Sequence, residues 1–171
     1  MIRNIIKLAA VVASLTFGGQ AMAQNSDVEN TNASATIAAA PISVTENSAL
    51  VFGSMMKPTS GSSTVTLDST TPACDRTISG NGTLVAGSPS CATYSVIGEA
   101  AQVFTIVADT SFDMTRSGGS EMLTVTTNKS AATGTIGQAT ANFKIGGSFP
   151  VTTATVAGSY NGNFNVTVTY Q

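Results

Sequence analysis

Residues 163–171, NFNVTVTYQ, form the clearest strand pattern in the chain. In this run an apolar or aromatic side chain alternates with asparagine or threonine at every second position. Successive side chains of a β-strand point to opposite faces, so the pattern predicts a strand with one buried and one wet face. The predicted core residues of this terminal strand are Phe164, Val166, Val168 and Tyr170.

Shorter alternating runs recur along the rest of the chain, with turn signals about every 8–12 residues. The predicted strands lie at 49–55, 63–68, 92–97, 103–108, 112–115, 122–127, 140–145 and 149–156. Residues 77–86 carry Ile78 and Leu84 on either side of a turn at 79–82, so a disulfide between the flanking cysteines would staple a hairpin here or tie its two ends together. Residues 24–171 contain 25 threonines and 19 serines, which favour strands and turns over helices. The sequence therefore predicts an all-β, immunoglobulin-like antiparallel β-sandwich of about seven to nine strands.

Residues 1–23 have the layout of a secretory signal peptide. Arg3 and Lys7 give a positive start, an apolar run follows at 8–17, and the small-residue sequence AMA precedes Gln24. A bilayer-spanning helix needs roughly 20 apolar residues, so a membrane anchor is the weaker interpretation. We therefore predict an exported chain that works in the periplasm and then at the cell surface or outside the cell.

The start of the exported chain divides into two parts. Residues 24–34 are polar and aperiodic and predict a flexible leader, whereas 35–171 predicts a single β-sandwich domain. Ile37 is odd-numbered, while the next large apolar residues, Ile42 and Val44, are even-numbered. One straight strand cannot turn all three inward, so we expect a bend or boundary close to the proline at position 41.

Cys74 and Cys91 are the only cysteines of the chain. An even number in an exported protein predicts a disulfide, and here it would close a loop of about 17 residues. The chain-entropy model gives such a bridge roughly 3 kcal/mol. The chain has no histidine that could add a ligand to the two thiols, which argues against a metal site.

The sequence lacks most of the residue patterns and motifs that catalysis commonly uses. Without histidine a hydrolytic triad lacks its usual base, and no phosphate-binding glycine loop is present. Asp109 and Asp113 are too few for a calcium site and suit turn capping. Residues 24–171 carry a net charge of −4 with no basic run. We predict no enzymatic activity, no cofactor, no nucleic-acid partner and no membrane span after the signal peptide.

Three segments carry a family resemblance: APISV at 40–44, LVFG at 50–53 and GSYNGNFNVTVTY at 158–170. Together they resemble an uncharacterised bacterial secreted family, the domain of unknown function numbered 4402, over nearly all of the exported chain. The Phe-Gly pair and the terminal pattern are also similar, more distantly, to spore-coat-U-type pilins of chaperone–usher systems.

The pilin similarity implies a sandwich that lacks its last strand and is completed by the N-terminal segment of the next subunit. The implied partners are copies of this chain, a periplasmic chaperone and an outer-membrane usher. The candidate donor or first-strand residues are Ala35, Ile37, Ala39, Ile42 and Val44.

Two interpretations of this segment stay open. Ala35 and Ala39 are small, so they bury little apolar surface for a donor strand. In the alternative, residues 37–44 fold back as the first strand of a complete monomer. The first interpretation predicts a fimbrial, pilin-like structural subunit, and the second a monomeric secreted module that binds glycan or protein.

Overall fold

A computed structural model of the protein describes residues 29–138 and 140–171. The predicted signal peptide at 1–23 and the first part of the predicted leader, 24–28, lie outside the described residues. Ala38–Gln171 forms one compact unit.

The described residues form thirteen β-strands and no helix, which confirms the all-β prediction. The number exceeds seven to nine because four of the strands are only two or three residues long. In chain order the strands are β1 (Ser43–Ser48), β2 (Met55–Met56), β3 (Ser62–Asp68), β4 (Asp75–Gly80), β5 (Thr83–Leu84), β6 (Ala92–Ile97), β7 (Val103–Ala108), β8 (Ser111–Arg116), β9 (Met122–Lys129), β10 (Thr133–Thr135), β11 (Thr140–Thr152), β12 (Tyr160–Asn161) and β13 (Val166–Tyr170).

The large sheet is built around β11, which is 13 residues long. Its first half pairs with β6, placing Phe143 opposite Tyr94, and its second half pairs with β3, placing Phe149 opposite Val65. Strand β9 pairs with the middle of β11, and the sheet order is β1-β6-β11-β9-β8-β12, with β4 beside β3. All of these pairings are antiparallel.

The predicted strand at 140–145 and the first four residues of the one at 149–156 are in fact parts of this one strand, whereas residues 153–156 lie beyond its end. Two glycines, Gly146 and Gly147, separate the runs and are buried in its middle. A Cβ at Gly146 would collide with the Leu67 carbonyl oxygen and the Asn128 side chain. The glycine therefore serves the close approach of neighbouring strands, not a turn.

Two small sheets complete the described fold, one of order β10-β7-β13 and one of β2 with β5. The predicted strand at 49–55 is reduced to one bridge, Val51 with Ser90, and to β2 at its end. The predicted region 77–86 does not pair with itself, because β4 pairs with β3 and β5 with β2.

The buried side chains form two clusters. The first core consists of Ala92, Tyr94, Val96, Phe104, Ile106, Ile136, Phe143, Ile145 and Val168. The second core consists of Phe52, Val65, Leu67, Cys74, Cys91, Val125, Phe149 and Val151. Leu50 packs against both. The predicted disulfide is confirmed: Cys74 and Cys91 are bonded, with their Cα atoms 5.9 Å apart.

Candidate functional site

The terminal strand β13 is an edge strand in the described structure, because its pairing partner is β7 on one side alone. At one end the Asp109 N–H donates to the Asn165 carbonyl at 3.1 Å, and at the other the Gln171 N–H donates to the Val103 carbonyl at 3.1 Å. Backbone direction alternates along an antiparallel strand, so the odd-numbered residues of β13 turn their N–H and C=O groups toward β7.

It follows that the backbone groups of Val166, Val168 and Tyr170 point away from β7, toward the unpaired edge. The side chains of the same three residues face the first core, where Val168 is buried and the other two pack at its rim. We call these three residues the free edge. A strand added here would gain backbone hydrogen bonds directly beside apolar side chains.

Three hydrogen bonds hold Ala40 at one end of the free edge. The Tyr170 hydroxyl donates to the Ala40 carbonyl at 2.9 Å and accepts from the Glu99 N–H at 2.6 Å. The Ala40 N–H in turn donates to the Glu99 carboxylate at 3.2 Å. Ala40, the residue just before Pro41, is therefore anchored beside the last residue of β13.

The five candidate donor or first-strand residues divide into two groups. Ile42 and Val44 pack against the first core, and Val44 lies in β1 opposite Val96 of β6. Ala35, Ile37 and Ala39 are exposed and belong to no strand, and Ile37 is 94% exposed. The first strand of the domain thus starts at Ser43, after the proline.

The four predicted core residues of the terminal strand all reach the first core. Val168 is buried in it, while Phe164, Val166 and Tyr170 pack against it from the rim. Phe164 precedes β13 and stacks on Phe112 with ring centroids 5.0 Å apart.

A separate cavity of about 480 Å³ opens against the second core. Its apolar lining includes four side chains from the inner face of the large sheet, namely Met114, Leu123, Phe149 and Val151. The segments 50–55 and 155–161 complete the wall. Lys57 lies at the rim, where its ammonium donates to the Thr153 carbonyl at 3.0 Å and to the Thr155 carbonyl at 3.2 Å.

Sequence reasoning did not identify this cavity. Lys57 is distant in sequence from Met114 and Leu123, and no local pattern marks the three as neighbours. The register of β8 with β9, which places Met114 opposite Leu123, is what brings the two side chains to one place.

The two aspartates considered for metal binding serve local contacts. The Asp109 carboxylate accepts from the backbone and side-chain N–H groups of Asn165 at 2.8 and 3.1 Å. The Asp113 carboxylate accepts from the Thr124 hydroxyl at 2.6 Å. Across residues 29–138 and 140–171 no group of three or more metal-ligating side chains occurs. The same residues contain no helix of the length and apolarity that crossing a membrane requires.

Of three comparisons with known proteins, one identified a relationship, and it is a match to a family model. Neither the curated proteins nor the solved structures include a match. A family model for a domain of unknown function, DUF4402, matches residues 42–170, from the residue before β1 to the last residue of β13. That span covers the strands of both cores and the free edge, and the chain therefore belongs to the DUF4402 family.

Proposed function

We propose that this protein is an exported, non-enzymatic structural subunit that assembles with copies of itself at the cell surface. The observation that carries the proposal is the free edge, whose outward backbone groups lie beside the first core. An unpaired edge of this kind is a template for another strand. Assembly would cover the edge by β-strand addition from a neighbouring subunit.

The segment that precedes the domain is the proposed added strand. Residues 29–39 form no strand, and Ile37 is their one large apolar side chain. Fully extended, these 11 residues would span about 36 Å at roughly 3.3 Å per residue, against about 17 Å for the five residues of β13. The segment is long enough to reach along the β13 of a second copy.

The proposed partners follow from the same edge. Before assembly the free edge would invite aggregation, so a periplasmic chaperone would have to cover it. An outer-membrane usher would then pass the subunit to the cell surface as the chaperone leaves. These partners extend the proposal and are tested by co-purification with the exported chain from its native host.

The first test is the assembly state of the chain purified after export. We expect a ladder of oligomers on an unboiled SDS gel that collapses to one band on boiling. Ile37→Asp should abolish the ladder because it places a charge on the apolar side chain that the neighbour must bury. Asn32→Asp is the matched control, with the same charge in the same exposed segment, and should keep the ladder.

A second variant separates assembly from folding. Deletion of residues 24–37 leaves the compact unit Ala38–Gln171 and keeps the contact between Ala40 and Tyr170. We expect this shortened chain to unfold cooperatively and to run as a monomer. A ladder from the shortened chain, or a lone monomer band from the unaltered one, would overturn the proposal.

The second candidate function is a monomeric secreted binding module, which the cavity beside the second core favours. Concave, mostly apolar cavities of a few hundred Å³ are the usual shape of ligand sites. Saturable binding of a glycan or protein by a chain that stays monomeric would support this function over assembly.

A further inference from the structure

The cavity beside the second core has an apolar wall, formed by side chains of the large sheet, and a more polar wall formed by residues 155–161. Met114, Leu123, Phe149 and Val151 line it, and Phe149 and Val151 are only 3% and 5% exposed. Met55 joins Met114 in the lining, and unbranched methionine side chains adapt to ligands of different shape. A volume of about 480 Å³ lies within the usual range for one small ligand.

The rim adds one positive charge to this apolar lining. Of the described residues that line the cavity, Lys57 is the only lysine or arginine, and none is acidic. Its ammonium has three N–H groups, and the carbonyls of Thr153 and Thr155 accept two of them. Among residues 29–138 and 140–171 the third N–H has no protein acceptor.

From these observations we infer that the cavity binds one small amphipathic anion, an acyl chain with a single carboxylate. The acyl chain lies among Met114, Leu123 and Phe149, and the carboxylate accepts a hydrogen bond from Lys57. The volume holds one chain, which points to a free fatty acid and not to a two-chain lipid. The inference does not depend on assembly through the free edge.

The two parts of the ligand contribute differently. Burial of the acyl chain supplies most of the affinity, because the hydrophobic effect grows with the apolar area removed from water. Lys57 is exposed, so its ion pair with the carboxylate is screened and adds little affinity. The ammonium instead selects the head group and orients the ligand.

The test of the head group uses dodecanoate below its micelle concentration, titrated by calorimetry into the chain purified after export and freed of lipid. We expect saturable binding with one site per chain, tighter than that of dodecanol by up to about fivefold, as a rim ion pair allows. Lys57→Met should remove this difference, whereas Lys57→Arg should preserve it.

Lys129→Met is the matched control for the charge. Lys129 also donates to a backbone carbonyl, that of Ile106 at 2.7 Å, but does not line the cavity. Its variant should bind dodecanoate as the unaltered chain does. Absence of saturable binding, equal affinity for dodecanoate and dodecanol, or the same effect of Lys57→Met and Lys129→Met would overturn the inference.

The acyl-chain part of the inference is tested by substitutions that fill the cavity with a larger side chain. Leu123→Trp adds bulk inside the cavity, and we expect it to weaken dodecanoate binding at least about tenfold while thermal unfolding stays cooperative. Met122→Trp is the matched control, because Met122 is the adjacent residue of β9, points to the opposite face and is 62% exposed. If Leu123→Trp fails to fold, Met114→Trp places the same bulk on the neighbouring strand.

Two outcomes of these substitutions would overturn the inference. The first is unchanged dodecanoate binding by the folded Leu123→Trp or Met114→Trp chain. The second is loss of the SDS-resistant ladder in Leu123→Trp when the unaltered chain binds no dodecanoate. That second result would assign the cavity to a segment of another copy of the chain.

Discussion

Tyr94 is a buried phenol whose ionisation the fold opposes. Its ring stacks on Phe143 with centroids 5.0 Å apart and is 8% exposed. Burial raises the pKa of Tyr94 to about 12, and the negative charge of Glu46 acts in the same direction. A group whose pKa is raised on folding stabilises the protein fully below its unfolded pKa, which for tyrosine is near 10.

This shift predicts a loss of stability in alkali. We expect the free energy of unfolding to fall as the pH rises from about 10 to about 12, because the unfolded phenol ionises first. In Tyr94→Phe the part of this loss that comes from Tyr94 should disappear. Urea unfolding of both chains across this pH range measures the difference, and parallel curves would contradict the assignment.

Gly80 and Gly118 both have positive φ, so substitutions at the two positions distinguish the cost of backbone strain from the cost of a steric collision. Gly80 has φ +86° and a Cβ there would collide with the Ser62 carbonyl, whereas Gly118 has φ +77° and open space around it. Gly118→Ala should cost about 1–2 kcal/mol of unfolding free energy. Gly80→Ala should cost at least about 1 kcal/mol more, since the adjacent strand must move. Equal losses in urea unfolding would rule out the collision.

The disulfide joins two strands of the large sheet, since Cys74 precedes β4 and Cys91 precedes β6. Replacing both cysteines with alanine should lower the free energy of unfolding by about 3 kcal/mol, because the unfolded chain regains a 17-residue loop. Dithiothreitol should lower the stability of the unaltered chain by a similar amount. It should leave the double variant unchanged, and any further loss in that variant would contradict the explanation.

Some predicted strand boundaries agree with the structure better than others, for a physical reason. The predicted boundaries 92–97 and 103–108 match β6 and β7, because each strand buries every second side chain and alternation along the chain reports that directly. The two predicted runs that overlap β11 are interrupted in the sequence by the glycine pair at 146–147, which carries no side chain to continue the alternation. Only the approach of β3 and β9 reveals why glycine is required there.

The two cores should unfold as one cooperative unit. Strand β11 contributes Phe143 to the first core and Phe149 to the second, so neither core forms without it. Ile106→Ala in the first core and Leu67→Ala in the second should each cost about 2–5 kcal/mol. Both should shift the same single transition, followed by circular dichroism and by tyrosine fluorescence. A biphasic curve in either variant would show that the cores are independent.

The candidate sites depend on the whole molecule more than the strands do. The sequence predicted Val166, Val168 and Tyr170 as core residues of the terminal strand, because alternation marks the buried face. The pilin similarity implied a sandwich with a strand missing, but the residue pattern did not predict which backbone edge is unpaired, because this depends on the order of strands within the sheet. It did not predict the anchoring of Ala40 by Tyr170 either, since 130 residues separate the two.

The sequence by itself determined the all-β class, the alternating core faces and the disulfide between Cys74 and Cys91. These follow from the side-chain period of a strand and from cysteine number, which are properties of composition and of neighbours along the chain. Only the tertiary structure decided that the unpaired edge is that of β13 and that Lys57, Met114 and Leu123 line one cavity. The edge arises because β13 pairs with the sequence-distant β7 on one side alone, and the cavity because segments far apart in the chain meet the hairpin of β8 and β9. Neither arrangement is a property of neighbouring residues along the chain.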